Sequence, residues 1–232
     1  MAKQIGIVAC SAEGAALCYQ TICRESSERM GTHYHPVITM HTWPLGSYMK
    51  AVEVGDWNAV ASLMQKSAEI LSAAGAQIII CPDNTIHQAF DLIEKQDDVE
   101  WLHIAVEVAK EAQRREFGKL GILGTQYLME GPVYAQVLKK FDINFEIPAE
   151  EIRIKISEKI FTELVNGIFR SHTRSFFHQQ IQALRESGCQ AAVLGCTEIP
   201  LIVDAKTAPL PTLDSTRILA RAAIEAALIE EV

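Results

Sequence analysis

A chain of 232 residues, 49% hydrophobic and 22% charged, has the ordinary composition of a globular protein and enough material for one large or two small domains. Its net charge of −8 argues against nucleic acid or an anionic membrane as the main partner. No apolar run approaches the roughly 18–20 residues that span a bilayer, and the N-terminus opens into the strand-like Gln4-Ile-Gly-Ile-Val8 without a signal-peptide pattern, so a cytoplasmic location is expected.

Short apolar runs alternate with longer amphipathic stretches, the βαβα pattern of a parallel sheet. Ile5–Val8 reads as a buried strand, and the spacing of Ala16, Tyr19, Ile22 and Cys23 predicts a helix over Gly14–Arg29. Val37–Met40 reads as a strand, and His41–Ser47 as a loop because of Pro44 and Gly46. Trp57–Ala74 is a predicted helix closed by Gly75, Ile78–Ile80 a strand, Asn84–Glu94 a helix, and Ile104–Phe117 a helix capped by Gly118. A second series follows. Leu120–Leu123, Asn144–Ile147 and Ala191–Leu194 read as strands, and Leu128–Lys140, Glu150–Val165 and Thr173–Glu186 as helices. A closing helix, Leu213–Ala227, is expected to pack back on the first domain.

The chain resembles itself. Gly75-Ala-Gln-Ile-Ile-Ile-Cys-Pro-Asp-Asn-Thr-Ile-His87 superposes without a gap on Gly188-Cys-Gln-Ala-Ala-Val-Leu-Gly-Cys-Thr-Glu-Ile-Pro200, which sets Asp83 against Cys196. Lys3–Cys10 and Lys119–Thr125 match at nearly the same offset. The expected fold is therefore α/β: two similar Rossmann-like domains with parallel four-stranded sheets, related by a pseudo-twofold axis, with the active site in the cleft between them. The first domain is expected over residues 1–112 plus 210–232, the second over 113–209.

Ligands of open parallel sheets bind beyond the carboxyl ends of the strands. The strand ends here are Ala9-Cys10-Ser11, Cys81–Thr85, Gly124-Thr125 and Gly195–Glu198. They supply hydroxyls, an amide, carboxylates, thiols and backbone N–H groups suited to a substrate carboxylate. Neither GxGxxG nor GxxxxGK[ST] occurs, which disfavours a nucleotide cofactor. The six cysteines contain no CxxC and do not form a disulfide framework. His33, His35 and His41 lack a partner that would complete a zinc tetrahedron, so no metal is expected. Cys196, at a strand-to-helix junction where a helix N-terminus lowers thiol pKa, is the leading catalytic candidate. Asp83 reads either as an acid/base group or as a helix cap. His87 either orients that carboxylate or is a satisfied polar residue, and Glu198 either pairs with a base or completes a cap.

Asn84-Thr-Ile-His87 and Leu194-Gly-Cys-Thr-Glu-Ile-Pro-Leu201 resemble the two signatures of the aspartate/glutamate racemase family, the cofactor-independent amino-acid racemases. Ile5-Gly-Ile-Val8, Leu120-Gly-Ile-Leu-Gly-Thr125, Glu163-Leu-Val-Asn-Gly167 and Leu213-Asp-Ser-Thr-Arg217 extend the likeness along essentially the whole chain. The resemblance implies an isomerase without cofactor, a homodimer, and two acid/base groups on opposite faces of the substrate α-carbon. Cys196 is then the second thiol. Asn84, Thr85, Thr125 and Thr197 hold the α-carboxylate or amine, and Ser11 and Trp43 line the pocket.

Three departures stand out. The position before Asn-Thr, usually Cys, is Asp83; Cys81 sits two residues earlier, about 6–7 Å back along a strand. A carboxylate, with a reference pKa near 4 against about 8.5 for a thiol, is the weaker base unless desolvated. The usual Gly-Gly pair after the first strand is Ala9-Cys10-Ser11 here, and His41–Ser47 offers no Arg or Lys for a distal carboxylate. A neutral amino acid or another small carboxylate therefore fits at least as well as aspartate or glutamate. The expected activity is racemisation or epimerisation at an α-carbon through Asp83 and Cys196. The alternatives are a decarboxylase using Cys196 alone as proton donor, and a non-catalytic binder.

Overall fold

The computed structural model describes residues 2–94 and 98–229. The parts of the expected domain spans at residues 1, 95–97 and 230–232 lie outside the described residues.

The chain divides into two compact units, one of residues 1–104 with 216–232 and one of residues 105–215. The sequence had placed the corresponding divisions at 112/113 and 209/210. The first unit runs β1 (Ile5–Ala9), α1 (Ala12–Glu25), α2 (Ser27–Met30), β2 (Ile38–Thr42), α3 (Leu45–Glu53), α4 (Trp57–Ala73), β3 (Ile78–Ile80), a 3₁₀ helix over Thr85–Leu92, and β4 (Glu100–Leu102). Its sheet is parallel throughout, in the order β2-β1-β3-β4. The second unit holds α5 (Ile104–Arg114), β5 (Lys119–Leu123), α6 (Gln126–Glu130), α7 (Pro132–Lys140), β6 (Asn144–Glu146), α8 (Glu150–Thr162), α9 (Ser171–Glu186), β7 (Ala191–Leu194) and β8 (Thr212–Asp214). Its sheet is also all parallel, in the order β6-β5-β7-β8. The same topology thus occurs twice. The last helix, α10 (Ser215–Leu228), joins the core of the first unit: Leu219, Ala220, Ala223 and Ile224 cluster with Ile5, Ile7 and Ile78.

Alternation along the strands explains the layering. Ile5, Ile7 and Ala9 share one core cluster with Ala15, Cys18 and Ile22 of α1 and with α10. Gly6 points the other way, where a Cβ would lie 2.9 Å from the Cβ of Ala76 and 3.1 Å from that of Leu71, at the end of α4. The second unit repeats the device, since a Cβ on Gly121 would lie 2.6 Å from Leu184 of α9. Both faces of β1 are buried, as expected of a parallel strand covered on two sides.

Several predicted elements need correction. The loop expected over His41–Ser47 is instead the end of β2 followed by helix α3, whose buried face is Tyr48, Ala51 and Val52. The helix expected from Asn84 is a 3₁₀ helix. The helix expected over Gly14–Arg29 starts earlier, on the Ser11 cap, and breaks at Ser26. Leu128–Lys140 breaks at Gly131, ahead of Pro132 at the first position of α7. Glu150–Val165 breaks at Glu163. Gly118 is not the cap of α5, because Glu116 takes the left-handed conformation (φ 58°) and the Phe117 N–H returns to Ala112 O at 2.9 Å. The edge strands β4 and β8 were not read from the sequence, and β8 occupies the first two residues assigned to the closing helix.

Candidate active site

The sheet register places the candidate residues. Ile78 of β3 pairs with Ile5, and Ala191 of β7 pairs with Leu120, so the gapless self-superposition is kept in the two ladders. Asp83 and Cys196 therefore each lie five residues beyond the matched strand positions Ile78 and Ala191. The glycines preceding those strands, Gly75 and Gly188, both have positive φ (95° and 84°).

In the first unit, Asp83 is half-buried and its Oδ1 accepts the Ile86 N–H at 3.1 Å, so it does cap the 3₁₀ helix. Asn84 is buried and Thr85 half-buried beside it. His87 is buried, with Nδ1 2.6 Å from Asp83 O and with Nε2 accepting the Ile104 N–H at 3.2 Å. A backbone N–H only donates, so the hydrogen sits on Nδ1 and points at the Asp83 carbonyl. Burial, and secondarily His103, hold the His87 pKa well below the usual imidazole range. His87 thus fixes the backbone of residue 83 as a neutral ring. Cys81 is fully buried; burial and then the charge of Asp83 push its thiol well above the ordinary range, which keeps it protonated.

Ser11 is the N-cap of α1, accepting the Gly14 N–H at 3.3 Å, and Cys10 beside it is buried. Tyr48 falls just past the loop expected over His41–Ser47, in a stretch to which the sequence reading assigns no element, although the spacing of Tyr48, Ala51 and Val52 carries a helical signal. It is fully buried, and its hydroxyl pKa is raised beyond the tyrosine range by burial and then by Cys81, Cys10 and Asp83, with Ser67 offsetting part of the effect. Ser67 Oγ in turn lies 2.9 Å from His41 Nδ1. Trp43 is half-buried, and its indole N–H donates to Leu63 O on α4 at 3.1 Å, with its ring edge-on to His41.

In the second unit, Thr125 caps α6 by accepting the Leu128 N–H at 3.1 Å. Gly124 and Gly195 are required by a close approach of strand ends: a Cβ on Gly195 would lie 2.9 Å from Leu123 O, to which the Gly195 N–H already donates at 2.7 Å. Cys196 Sγ donates to Glu198 Oε2 at 2.9 Å, and Thr197 Oγ1 donates to the same oxygen at 3.1 Å. The element after Glu198 is a three-residue 3₁₀ turn, Ile199–Leu201. The helix N-terminus expected to lower the Cys196 pKa is therefore absent, and the neighbouring group is a carboxyl instead. Glu163, from another of the matched motifs, accepts from Thr173 Oγ1 at 2.5 Å and has Lys159, Arg170 and His172 within 4.0 Å; the Thr173 hydrogen bond is the largest cause of its lowered pKa. It clamps α8 to α9. Among the described residues no group of three or more His, Cys, Asp or Glu is placed to hold a metal ion, and no helix is long and apolar enough to cross a membrane.

A family profile described as Asp/Glu/Hydantoin racemase matches residues 5–223. The chain belongs to this family. It is 25% identical over 157 residues to the broad specificity amino-acid racemase RacX of Bacillus subtilis (strain 168), an alignment covering 66% of this chain and 66% of that protein, just under two thirds of the relative's length. Among solved structures it is similar to a candidate Asp/Glu racemase from Yersinia pestis, at 31% identity and TM-score 0.88 over 98% of this chain and 100% of that one. An aspartate racemase homologue from Pyrococcus horikoshii OT3 matches at 27% identity and TM-score 0.83, over 97% and 99% of the two chains.

Proposed function

We propose that this family member is a cofactor-independent racemase or epimerase acting at the α-carbon of an amino acid or a similar small carboxylate. Asp83 from one unit and Cys196 from the other are the proton-transferring pair. The observation that carries this reading is their equivalent position past β3 and β7, each at the carboxyl end of an inner strand of its sheet. The Asp83 carboxylate takes the α-proton as the C–H electrons pass into the substrate carboxylate. The Cys196 S–H then delivers a proton to the other face of the carbon. Backbone N–H groups and the hydroxyls of Thr85 and Thr125 are suited to stabilise the enolate charge. A cytoplasmic homodimer belongs to the same reading, on family likeness alone.

A panel of amino acids incubated in deuterium oxide tests this. Recovered substrate should carry deuterium at the α-carbon, and both Cys196→Ala and Asp83→Asn should reduce exchange by at least a hundredfold. No exchange with any amino acid at high enzyme concentration would reject the racemase reading. One observation favours the lyase alternative: Asp83 Oδ1 is already engaged as a cap. Carbon dioxide release from a malonate-type substrate, dependent on Cys196 but not on Asp83, would establish it.

A further inference from the structure

We infer that β2 is the surface through which two copies of this chain pair, edge to edge about a twofold axis. This gives a surface to the homodimer of the proposed function and rests on that part of the reading alone. Among the described residues the two sheets end in four edge strands, β2 and β4 in the first unit and β6 and β8 in the second. An edge strand presents unpaired backbone N–H and C=O groups, which proteins shield with charge or by keeping the strand short. Three of the four are shielded in this way: β4, β6 and β8 have three residues each and carry Glu100, Glu146 and Asp214. β2 is not. It runs for five residues, Ile-Thr-Met-His-Thr, without an Asp, Glu, Lys or Arg. None of those four residue types occurs anywhere from residue 30 to residue 49, in a chain of which 22% is charged. Within that stretch Tyr34, Val37 and Met40 are 67%, 63% and 48% exposed, so pairing at this edge would also remove apolar surface from water.

The register decides how two such edges meet. Val37 O accepts the Ile5 N–H at 2.9 Å, so residues 37, 39 and 41 turn their backbone groups to β1, and Ile38, Met40 and Thr42 turn theirs outward. The other side chains of the strand are engaged inside their own subunit. Ile38 packs on the core of the first unit, Thr39 Oγ1 accepts from Gln4 Nε2 at 2.9 Å, and His41 is held on Ser67. A twofold axis through Met40 sets this residue opposite itself and Ile38 opposite Thr42 of the partner subunit. Each outward N–H then meets an outward C=O in an antiparallel ladder. Because β2 has no formal charge, the axis brings no like charges together. At any of the other three edges it would bring a carboxylate close to its own copy, in a chain already at net charge −8.

Analytical ultracentrifugation of the full chain tests the pairing without substrate, so its failure is distinguishable from failure of the racemase chemistry, which α-hydrogen exchange reads separately. The wild type should sediment at twice the chain mass. Met40→Lys and Met40→Glu each set like charges face to face on the axis and should raise the dimer dissociation constant about tenfold. An equimolar mixture of the two variants should recover the dimer, because Lys then meets Glu. One measurement needs no variant to fold: in the wild type, hydrogen exchange of the Ile38, Met40 and Thr42 amides should slow about tenfold between dilute and concentrated protein. A wild type that stays monomeric at about 0.1 mM overturns the inference. So does a dimer that persists in both charged variants, a mixture that associates no better than either variant alone, or exchange at those three amides that ignores concentration.

Discussion

Acid should weaken this fold through His87, by an amount the structure sets. The ring is buried, gives its Nδ1 hydrogen to Asp83 O at 2.6 Å, and takes the Ile104 N–H on Nε2 at 3.2 Å. Protonating Nε2 would set two donors against each other and place a cation beside His103, whose ring centroid is 4.7 Å away. The folded-state pKa is accordingly well below the usual value. An unfolded histidine titrates near 6.5, so below that pH the unfolded chain binds a proton that the folded chain refuses. Stability is then complete above about 6.5 and falls with pH at up to about 1.4 kcal/mol per unit, or about 2 kcal/mol between pH 7.5 and 5.0. Urea unfolding of the wild type and of His87→Gln at those two pH values isolates the term, since carboxylates common to both proteins cancel in the difference. The variant should be less stable at pH 7.5 by roughly 1–3 kcal/mol, the cost of a disrupted hydrogen bond to the buried Ile104 N–H. It should also lose about 2 kcal/mol less on acidification. Equal pH dependence in the two proteins would refute the assignment of a neutral, doubly hydrogen-bonded ring.

Two further perturbations follow from the strand ends. Gly195→Ala places a methyl 2.9 Å from Leu123 O and 2.7 Å from Leu128 Cδ2; only the side chain can yield, so a loss of about 2–3 kcal/mol is expected in urea unfolding. Asp83→Cys removes the cap to Ile86 N, costing about 1 kcal/mol of stability. It should nonetheless raise α-hydrogen exchange of ordinary amino acids in deuterium oxide. A stable variant with no gain would mean that the pocket selects a different substrate.

What was legible in the sequence was what strong local signals carry. The inner strands β1, β3, β5 and β7 are short apolar runs between a glycine or charged residue and a polar cluster, and all were found. The edge strands β4 and β8 have only three residues each and little apolar pattern, so nothing local marks them. α3 was hidden because Pro44 and Gly46 look like a loop, yet Pro44 precedes the first helical residue, where proline is tolerated. Losing α3 meant losing Tyr48, a fully buried tyrosine of the first unit. The misread cap at Gly118 has a similar cause: glycine is the usual left-handed residue, but Glu116 takes that conformation without it.

The duplication was visible because both copies need the same backbone devices, whereas the strand-end chemistry had to be inferred from a single side chain in each. Gly75 and Gly188 turn the chain into equivalent strands, and Gly6 and Gly121 let a helix approach each sheet. Ser11 and Thr125 start the helices after β1 and β5. Backbone geometry tolerates few residue types at such positions, so the repeat persists in the sequence. Past β3 and β7 the two copies differ at the matched pair Asp83 and Cys196. One copy has a carboxylate tied to its own 3₁₀ helix, the other a thiol tied to a neighbouring carboxyl. A proton removed by one group and delivered by the other requires unequal protonation states at any instant. On the proposed function, a pair of unlike groups, each with its own local hydrogen bond, is suited to that inequality.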